Sequence, residues 1–365
     1  MAAAAYDVLG RRIVRGVVAV PRGTTLAAPD RITFFPAGHP HPDQGSLASG
    51  QAVQEMLAET TADDLVLTLV SGGGSAMLEI PAPGITLPAL QSVNDALIRS
   101  GAPIDEINVV RSALSRVKSG GLARVAAPAR CVALILSDVV GDRMSSIASG
   151  PTVSRRASPQ RAARILRDYG LWNDLPRGIR AALEGDRPPP KRVPHAVNLL
   201  VGSNRLVVDA ASFAASEIGF RVRVLSRRMH GEAREAGQRM ASAMVRAGGG
   251  SCLLMGGETT VHVRDGGRGG RNQELALAAA IRLEGKPGAT LMALATDGVD
   301  GPTDAAGAIV TGETAHRARQ ANIDLDAALA AHDAYPCLDR LGALVRTGPT
   351  GTNVNDLVVG LVYSG

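Results

Sequence analysis

LVLTLV at residues 65–70 runs without a break into SGGGS at residues 71–75. Leu65–Val70 is continuously apolar, bounded by Asp64 on one side and Ser71 on the other. A short apolar run without polar alternation predicts a strand buried on both faces, as in a parallel sheet. The glycines at its carboxyl end then stand where open α/β sheets place their ligands. Glycine lets main-chain N–H groups approach an anion closely, and a helix starting behind it adds partial positive charge. The same residues would also suit a tight turn packed against a neighbour.

Outward from this junction the pattern repeats. Two helical segments follow, at about 87–100 and 104–118. Val132–Leu136 is a second buried strand, opening into SDVVGDRMSSIASGPT at 137–152. Before the junction, 1–15 reads as a helix, Val17–Val20 and Ile32–Phe35 as strands, and 49–59 as a helix. Strands alternating with helices predict an α/β protein whose first domain is a doubly wound, Rossmann-like parallel sheet. GDRPPPKRVP at 185–194 is the best linker, because its prolines exclude a helix interior and favour an extended spacer. The expected domains are therefore 1–188 and 195–365. The second half restarts with a strand at Val197–Val201, a turn at 202–204 and a helix to about Ile218. Strand 221–225, helix 232–246, strand 251–255, helix 272–283, strand 290–295 and strand 357–362 follow. Val261 and Val263 alternate with polar neighbours and suggest a hairpin.

Composition narrows the function. Apolar residues make up 45% of the 365 and charged residues 20%, enough for two soluble cores. Aromatics are only 2%, too few for base stacking, and the net charge of +5 includes no dense basic run. A nucleic-acid partner is thus not expected, while small anionic substrates are. Cys131, Cys252 and Cys337 lie far apart in apolar settings, which suits thiols in a reducing compartment. No apolar stretch approaches the roughly 20 residues of a membrane helix, and no signal-peptide pattern opens the chain. A cytoplasmic protein is expected; a homodimer is left open.

Six segments could carry chemistry. In 71–75, Ser71, Gly72, Gly73, Gly74 and Ser75 form a candidate phosphate or carboxylate cradle. In 137–152, Asp138 and Asp142 flank a glycine; Asp138 suits Mg²⁺ beside nucleotide phosphates, while Asp142 serves equally well as a cap. GGETT at 256–260 places Glu258 and Thr259 directly after a buried strand. GGRGGRNQE at 266–274 then offers Arg268, Arg271, Asn272 and Glu274, and guanidinium groups suit bidentate grip on carboxylate or phosphate. TDGVDGPTDA at 296–305 contains Asp297, a candidate for Mg²⁺ or a substrate hydroxyl; Asp300 and Asp304 suit turns or caps. It is no calcium loop, since the Asp spacing is wrong and the closing Glu is absent. TGPTGTNVN at 347–355, with Thr350 and Asn353, could line the same site or simply turn.

Other signatures are missing. No lysine stands in a G-x-x-x-x-G-K-[ST] setting, and the nearest approach to a dinucleotide fingerprint, residues 267–272, has Asn272 at the third glycine. There is no G-x-S-x-G elbow and no His/Cys cluster for zinc. His39 and His41, in a Pro-rich loop, suit the surface better than a ligand.

Together the segments SGGGSAM (71–77), VRSALSRVKSGGLA (110–123), ILSDVVGDRMSSIASGPT (135–152), GEAREAG (231–237), GGETTVHV (256–263), GGRNQELALA (269–278), TDGVDGPTDAAGA (296–308) and TGPTGTNVNDL (347–357) resemble the glycerate 2-kinase family, whose C-terminal portion is the MOFRL domain. They run in family order over nearly the whole chain. The resemblance implies transfer of the γ-phosphoryl group of ATP to the 2-hydroxyl of D-glycerate, with Mg²⁺, in a cleft between two domains. It implies Arg271, Asp138 and Asp297 as catalytic residues, with Asp138 and Asp297 also holding Mg²⁺. Substrate and nucleotide would be bound by Ser71, Gly72, Gly73, Gly74, Ser75, Lys118, Glu258, Thr259, Asn272, Glu274, Thr350 and Asn353. Lys118, in the family's V-K-x-G-G position, is either structural or substrate-adjacent. Family members begin with a further strand and a Gly-Lys-Ala segment carrying an active-site lysine. Met1–Ala4 resembles the tail of that helix, and no lysine precedes Lys118. The expectation is a start lying further upstream or, alternatively, an impaired glycerate- or nucleotide-binding remnant. Older annotations of relatives as hydroxypyruvate reductases find no nicotinamide fingerprint here.

Overall fold

The structure, a computed structural model, describes residues 1–25, 27–154, 158–185, 196–263 and 266–364. It comprises two compact units: Met1–Ile135 with Arg143–Val201, and Leu136–Asp142 with Gly202–Gly365.

In the first unit β1 (Gly16–Pro21) and β2 (Ile32–Ala37) pair in parallel, as do β3 (Leu65–Val70) and β4 (Arg130–Leu136). β5 (Ala196–Gly202) lies beside β4, giving a two-stranded and a three-stranded sheet rather than one continuous sheet. The boundary expected at 188/195 accordingly moves to 201/202, since β5 completes the first unit's sheet. Pro-rich composition marks an extended connection but does not say which sheet the next strand will join. Of that linker, residues 186–195 lie outside the described residues.

The unit's largest core is helical. On the helix Leu87–Arg99, Leu90, Val93 and Leu97 recur on one face and pack with Val110, Leu166 and Ile179. The helix expected over 104–118 stops at Ala113. Ser115 instead bridges to Pro81, and Lys118 turns inward to Glu79.

The second unit is built on one six-stranded mixed sheet. Its strands are β6 (Arg221–Met229), β7 (Ser251–Gly257), β8 (Ala289–Ala295), β9 (Gly307–Thr311), β10 (Leu344–Val345) and β11 (Asp356–Val362). They run in the order β10-β9-β8-β11-β7-β6, with β6 and β7 parallel and the remaining neighbours antiparallel. The last strand is therefore inserted at the centre. Asp356, its first residue, pairs with Gly257 at the end of β7 and with Ala295 at the end of β8. Antiparallel insertion thus brings the loop before β11 to the same sheet end as the loops after β7 and β8. Helices Ala233–Arg246 and Arg271–Arg282 bury Met240, Met244, Leu275 and Leu277 in the unit's core.

The hairpin expected from Val261 and Val263 does not form. The chain after β7 follows the end of β6 instead: Glu258 N–H donates to the Met229 carbonyl (2.8 Å), and Thr260 bridges in parallel to Glu232. Two alternating valines are too few to hold a strand by themselves. Asp265 lies outside the described residues. The three cysteines are free and buried, and among the described residues no helix is long and apolar enough to cross a membrane.

Candidate functional site

Arg271 opens the helix Arg271–Arg282, whose preceding residue, Gly270, has no side chain to cap it. Asp300 supplies the cap from the loop after β8. Its Oδ1 accepts from Asn272 N–H (3.1 Å) and Nδ2 (3.2 Å), and its Oδ2 accepts from Gln273 N–H (2.9 Å). A Cβ at residue 270 would lie 2.2 Å from the Asp300 carboxyl carbon, so this cap needs glycine there. With its helix end fixed, Arg271 donates from Nε to Asp356 Oδ2 (2.6 Å) and from Nη2 to Asp356 Oδ1 (2.9 Å). Its Nη1 meets Glu258 Oε1 at 2.8 Å. Such forked, charge-assisted pairs hold a guanidinium in one orientation. Asp356 is fully buried, and the Asn204 amide steadies its strand entry by donating to the carbonyls of Val354 (2.9 Å) and Asp356 (2.8 Å).

The neighbouring loops are stitched to this centre. The Thr296 hydroxyl donates to the Asn355 carbonyl (2.7 Å) and accepts from Val354 N–H (2.9 Å). Thr350 donates from its hydroxyl to the Thr296 carbonyl (2.6 Å) and from N–H to the Asp297 carbonyl (3.0 Å). Asn353 Oδ1 accepts from Asn355 N–H (2.9 Å), and Asn355 Nδ2 donates to Glu258 Oε2 (3.2 Å). Burial pushes the Glu258 carboxyl above its ordinary range, and the charges of Asp356, Asp138 and Asp297 push it further against the opposing pull of Arg271. Asp356 is likewise raised, by burial first, despite Arg271. Asp138, Asp297 and Asp356 therefore lie near enough for their charges to act on Glu258, an acidic neighbourhood in which Arg271 pairs directly with Glu258 and Asp356. Asp138 reaches it because Leu136–Asp142 belongs to the second unit, although β4 belongs mostly to the first.

Four sequence candidates are buried, three of them with protein partners. Asn272 is buried on Asp300. Glu274 is buried, accepting from Arg234 (3.3 Å) and paired with His332 (2.8 Å). Thr259 is buried, its hydroxyl without a hydrogen-bond partner among the described residues. Lys118 is buried against Glu79. Asn272, Glu274 and Lys118 thus have protein partners in this structure, and a direct ligand contact at each is still an expectation. Asp142 closes a turn, N–H to the Val139 carbonyl (3.0 Å), with φ of 54°. Asp304 bonds Tyr335 and Arg346.

The glycine loop belongs to the first unit. Gly73 has φ of 78° and precedes a single helical turn, Gly74–Met77, while Ala148 backs Gly74. The Ser75 hydroxyl meets the Ser149 hydroxyl at 2.8 Å. Ser71–Ser75 are half-buried, so solvent still reaches them.

Sequence reasoning missed Asp356, Asn204 and Asn355. The available signal was Asn355-Asp356 standing immediately before an apolar strand. A strand start belongs to a ligand-facing sheet end when that strand runs antiparallel, and spacing alone does not show its direction.

Asp300 gives a pH test of this geometry. Burial raises its carboxyl to about 6, against the helix N–H groups that favour its charged form; Asp356 adds to the rise. In the unfolded chain it titrates near about 4. Between those values the folded state holds a proton that the unfolded state lacks. Its contribution to stability is therefore greatest below about 4 and falls as pH rises through about 6. Asp300→Asn keeps a cap acceptor and removes the titration. The wild-type-minus-variant difference in unfolding free energy should decline across that window; a flat difference would discard the assignment.

Comparisons with known proteins agree with this layout. The family model described as "Domain of unknown function (DUF4147)" matches residues 1–184, and that of the MOFRL family matches residues 251–356. The D-glycerate 2-kinase of Thermotoga maritima is 43% identical over 369 residues, covering 99% of this chain and 88% of the relative. The glycerate 2-kinase of Pyrococcus horikoshii is 39% identical over 348 residues, covering 92% and 79%. A crystal structure of glycerate kinase from Thermotoga maritima superposes with a TM-score of 0.94 at 43% identity, covering 99% of this chain and 88% of that one.

Proposed function

The chain belongs to the glycerate kinase family composed of DUF4147 and MOFRL regions, and from that premise we propose that it is an ATP-dependent glycerate 2-kinase, phosphorylating the 2-hydroxyl of D-glycerate to give 2-phosphoglycerate. The observation that carries this reading within the molecule is Arg271, clamped at the sheet end by Asp356 and Glu258, with Asp138 and Asp297 near enough for their charges to act on Glu258.

Phosphoryl transfer asks little covalent chemistry of a protein. It requires donor and acceptor in line, and cations against the charge on the transferring group. Arg271 spends two of its five N–H donors in hydrogen bonds to Asp356 and pairs its Nη1 ionically with Glu258. The remaining donors, on a side chain 29% exposed, are left for phosphoryl oxygens. The acidic group fits a divalent cation. Mg²⁺ takes oxygen ligands, and beside nucleotides it uses one or two carboxylates and completes its shell with phosphate and water. Among the described residues no three His, Cys, Asp or Glu side chains are grouped to hold a metal ion by themselves, so the proposed ion would depend on substrate oxygens as well. Asp138 and Asp297 would hold the ion, which when bound neutralises charge on the donor phosphates. The glycine loop Ser71–Ser75 would receive an anionic group on main-chain N–H donors.

The purified chain, incubated with D-glycerate and Mg-ATP, should form 2-phosphoglycerate, distinguished from 3-phosphoglycerate by ³¹P NMR. Binding of D-glycerate or ATP by calorimetry without turnover would instead favour a binding remnant. Oxidation of NADH with hydroxypyruvate would move the activity to another class.

A further inference from the structure

The first unit holds a charge that the kinase reading leaves unused. Glu79 and Lys118 are both buried. Lys118 Nζ donates to Glu79 Oε2, and the Ser115 hydroxyl donates to Oε1 at 2.5 Å. Both carboxylate oxygens are thus taken. Arg111 stands close enough for its charge to act on Lys118 and for Glu79 to act on it. Two cations therefore share one carboxylate, and the excess positive charge falls to Arg111.

Its guanidinium is poorly supplied with partners. Among the described residues Arg111 makes no ion pair in contact, and its one hydrogen bond runs from Nη2 to the carbonyl of Ser75 at 3.3 Å. Burial pushes its pKa down, Glu79 notwithstanding, so the surroundings do not fully solvate the charge. A guanidinium has five donors in a planar fork, and most of this fork has no protein acceptor. That one bond places it at the end of the glycine loop.

The wall beside it is held in position at a cost. Asn108 lies one turn before Arg111 on the helix Ile104–Ala113 and so shares its face. Asn108 Oδ1 accepts from the Ser149 hydroxyl (3.3 Å), which also meets Ser75. To present that hydroxyl, Ala148 and Ser149 adopt φ of 47° and 61°, a left-handed conformation unfavourable for residues other than glycine. Ser119 N–H to the Ser149 carbonyl (2.9 Å) and Gly120 N–H to the Gly150 carbonyl (2.7 Å) hold it there. Strain maintained by neighbouring backbone, next to an under-bonded cation and a solvent-reached glycine loop, points to a ligand.

We propose that Arg111 is the anion-binding side chain of the glycine loop, gripping a carboxylate or phosphoryl group of one of the two substrates with its free N–H donors. This rests on the kinase reading and extends it, since the acceptor carries a carboxylate and the donor carries phosphates. Lysine would supply the charge without the fork.

Arg111→Gln and Arg111→Lys are compared with wild type in the whole chain. Losing one charged hydrogen-bond set should raise the KM of one substrate by about 30-fold while the other stays within about twofold. A selective rise for D-glycerate identifies the carboxylate as the bound group; a selective rise for ATP identifies a phosphoryl group. Arg111→Lys should recover part of the loss, and the thermal midpoint should stay near wild type in both. Unchanged KM values, or losses that follow a fallen midpoint, overturn the proposal. Should the wild type show no turnover, the kinase reading fails on its own. Calorimetry with D-glycerate, ATP and inorganic phosphate then still decides whether Arg111→Gln abolishes anion binding.

Discussion

Arg271→Ala is expected to lower kcat by about a thousandfold or more. A preorganised donor aimed at developing charge is commonly worth 10²–10³ in rate, and arginines that stabilise a transferring phosphoryl group reach 10³–10⁵. Here the guanidinium is fixed from three sides: by its helix end, by the Asp356 fork and by Glu258. It therefore needs little reorganisation as charge develops. The substitution has a second effect that must be separated. It leaves the fully buried Asp356 without its cation, and burial already raises that carboxyl. Protonation of Asp356 then becomes easier and the sheet end loosens. Arg271→Lys divides the two effects, because it restores a positive charge near Asp356 but not the fork. The expected result is a thermal midpoint close to wild type with kcat still down by at least about a hundredfold. Steady-state kinetics beside thermal melts checks both, and wild-type kcat in either variant would remove Arg271 from the reaction.

The strands that decide the fold were legible because apolar runs beside glycine need no long-range information. β3 forms where Leu65–Val70 predicts it, and β7, β8 and β11 form within a residue or two of their apolar runs. Sheet membership was not legible in the same way. β5 is as apolar as a strand opening a new domain, and nothing local says that it pairs with β4. The helix predicted to 118 failed for a related reason. Its last five residues have helical spacing, yet burial of Lys118 on Glu79 draws them away. At the candidate site, loop chemistry identified Arg271, Asp138, Glu258 and Asp297. It could not separate residues lining the group from those supporting it. Asn272 and Arg271 are adjacent in sequence, but the first is fully buried on the Asp300 cap and the second keeps part of its side chain exposed. Asp356 stayed hidden because its position depends on the last strand entering the sheet centre antiparallel to β7 and β8.

Lys118→Met should destabilise the first unit by about 3–5 kcal/mol while leaving the second intact, which decides between the two roles its motif allows. Removing one member of a buried ion pair strands the other, and the cost is chiefly that of the uncompensated charge. Lys118 and Glu79 have side chains only 1% and 3% exposed, so water cannot take the place of the lost partner. Arg111 is near, but meeting Glu79 would require it to leave Ser75, so the glycine loop should suffer as well. The double variant Glu79→Gln with Lys118→Met removes both charges and should recover most of the loss, because two neutral groups no longer demand each other. The protein offers its own probe. Its one tryptophan, Trp172, packs against the helical core of the first unit with Arg167 over its ring at 4.0 Å. Denaturant titration followed by Trp172 fluorescence thus reports on that unit. An early transition in Lys118→Met, reversed in the double variant, identifies the lysine as the internal counter-charge of Glu79. An unchanged transition with a raised KM would make it a ligand contact instead, and the closed pair would then have to open when substrate binds.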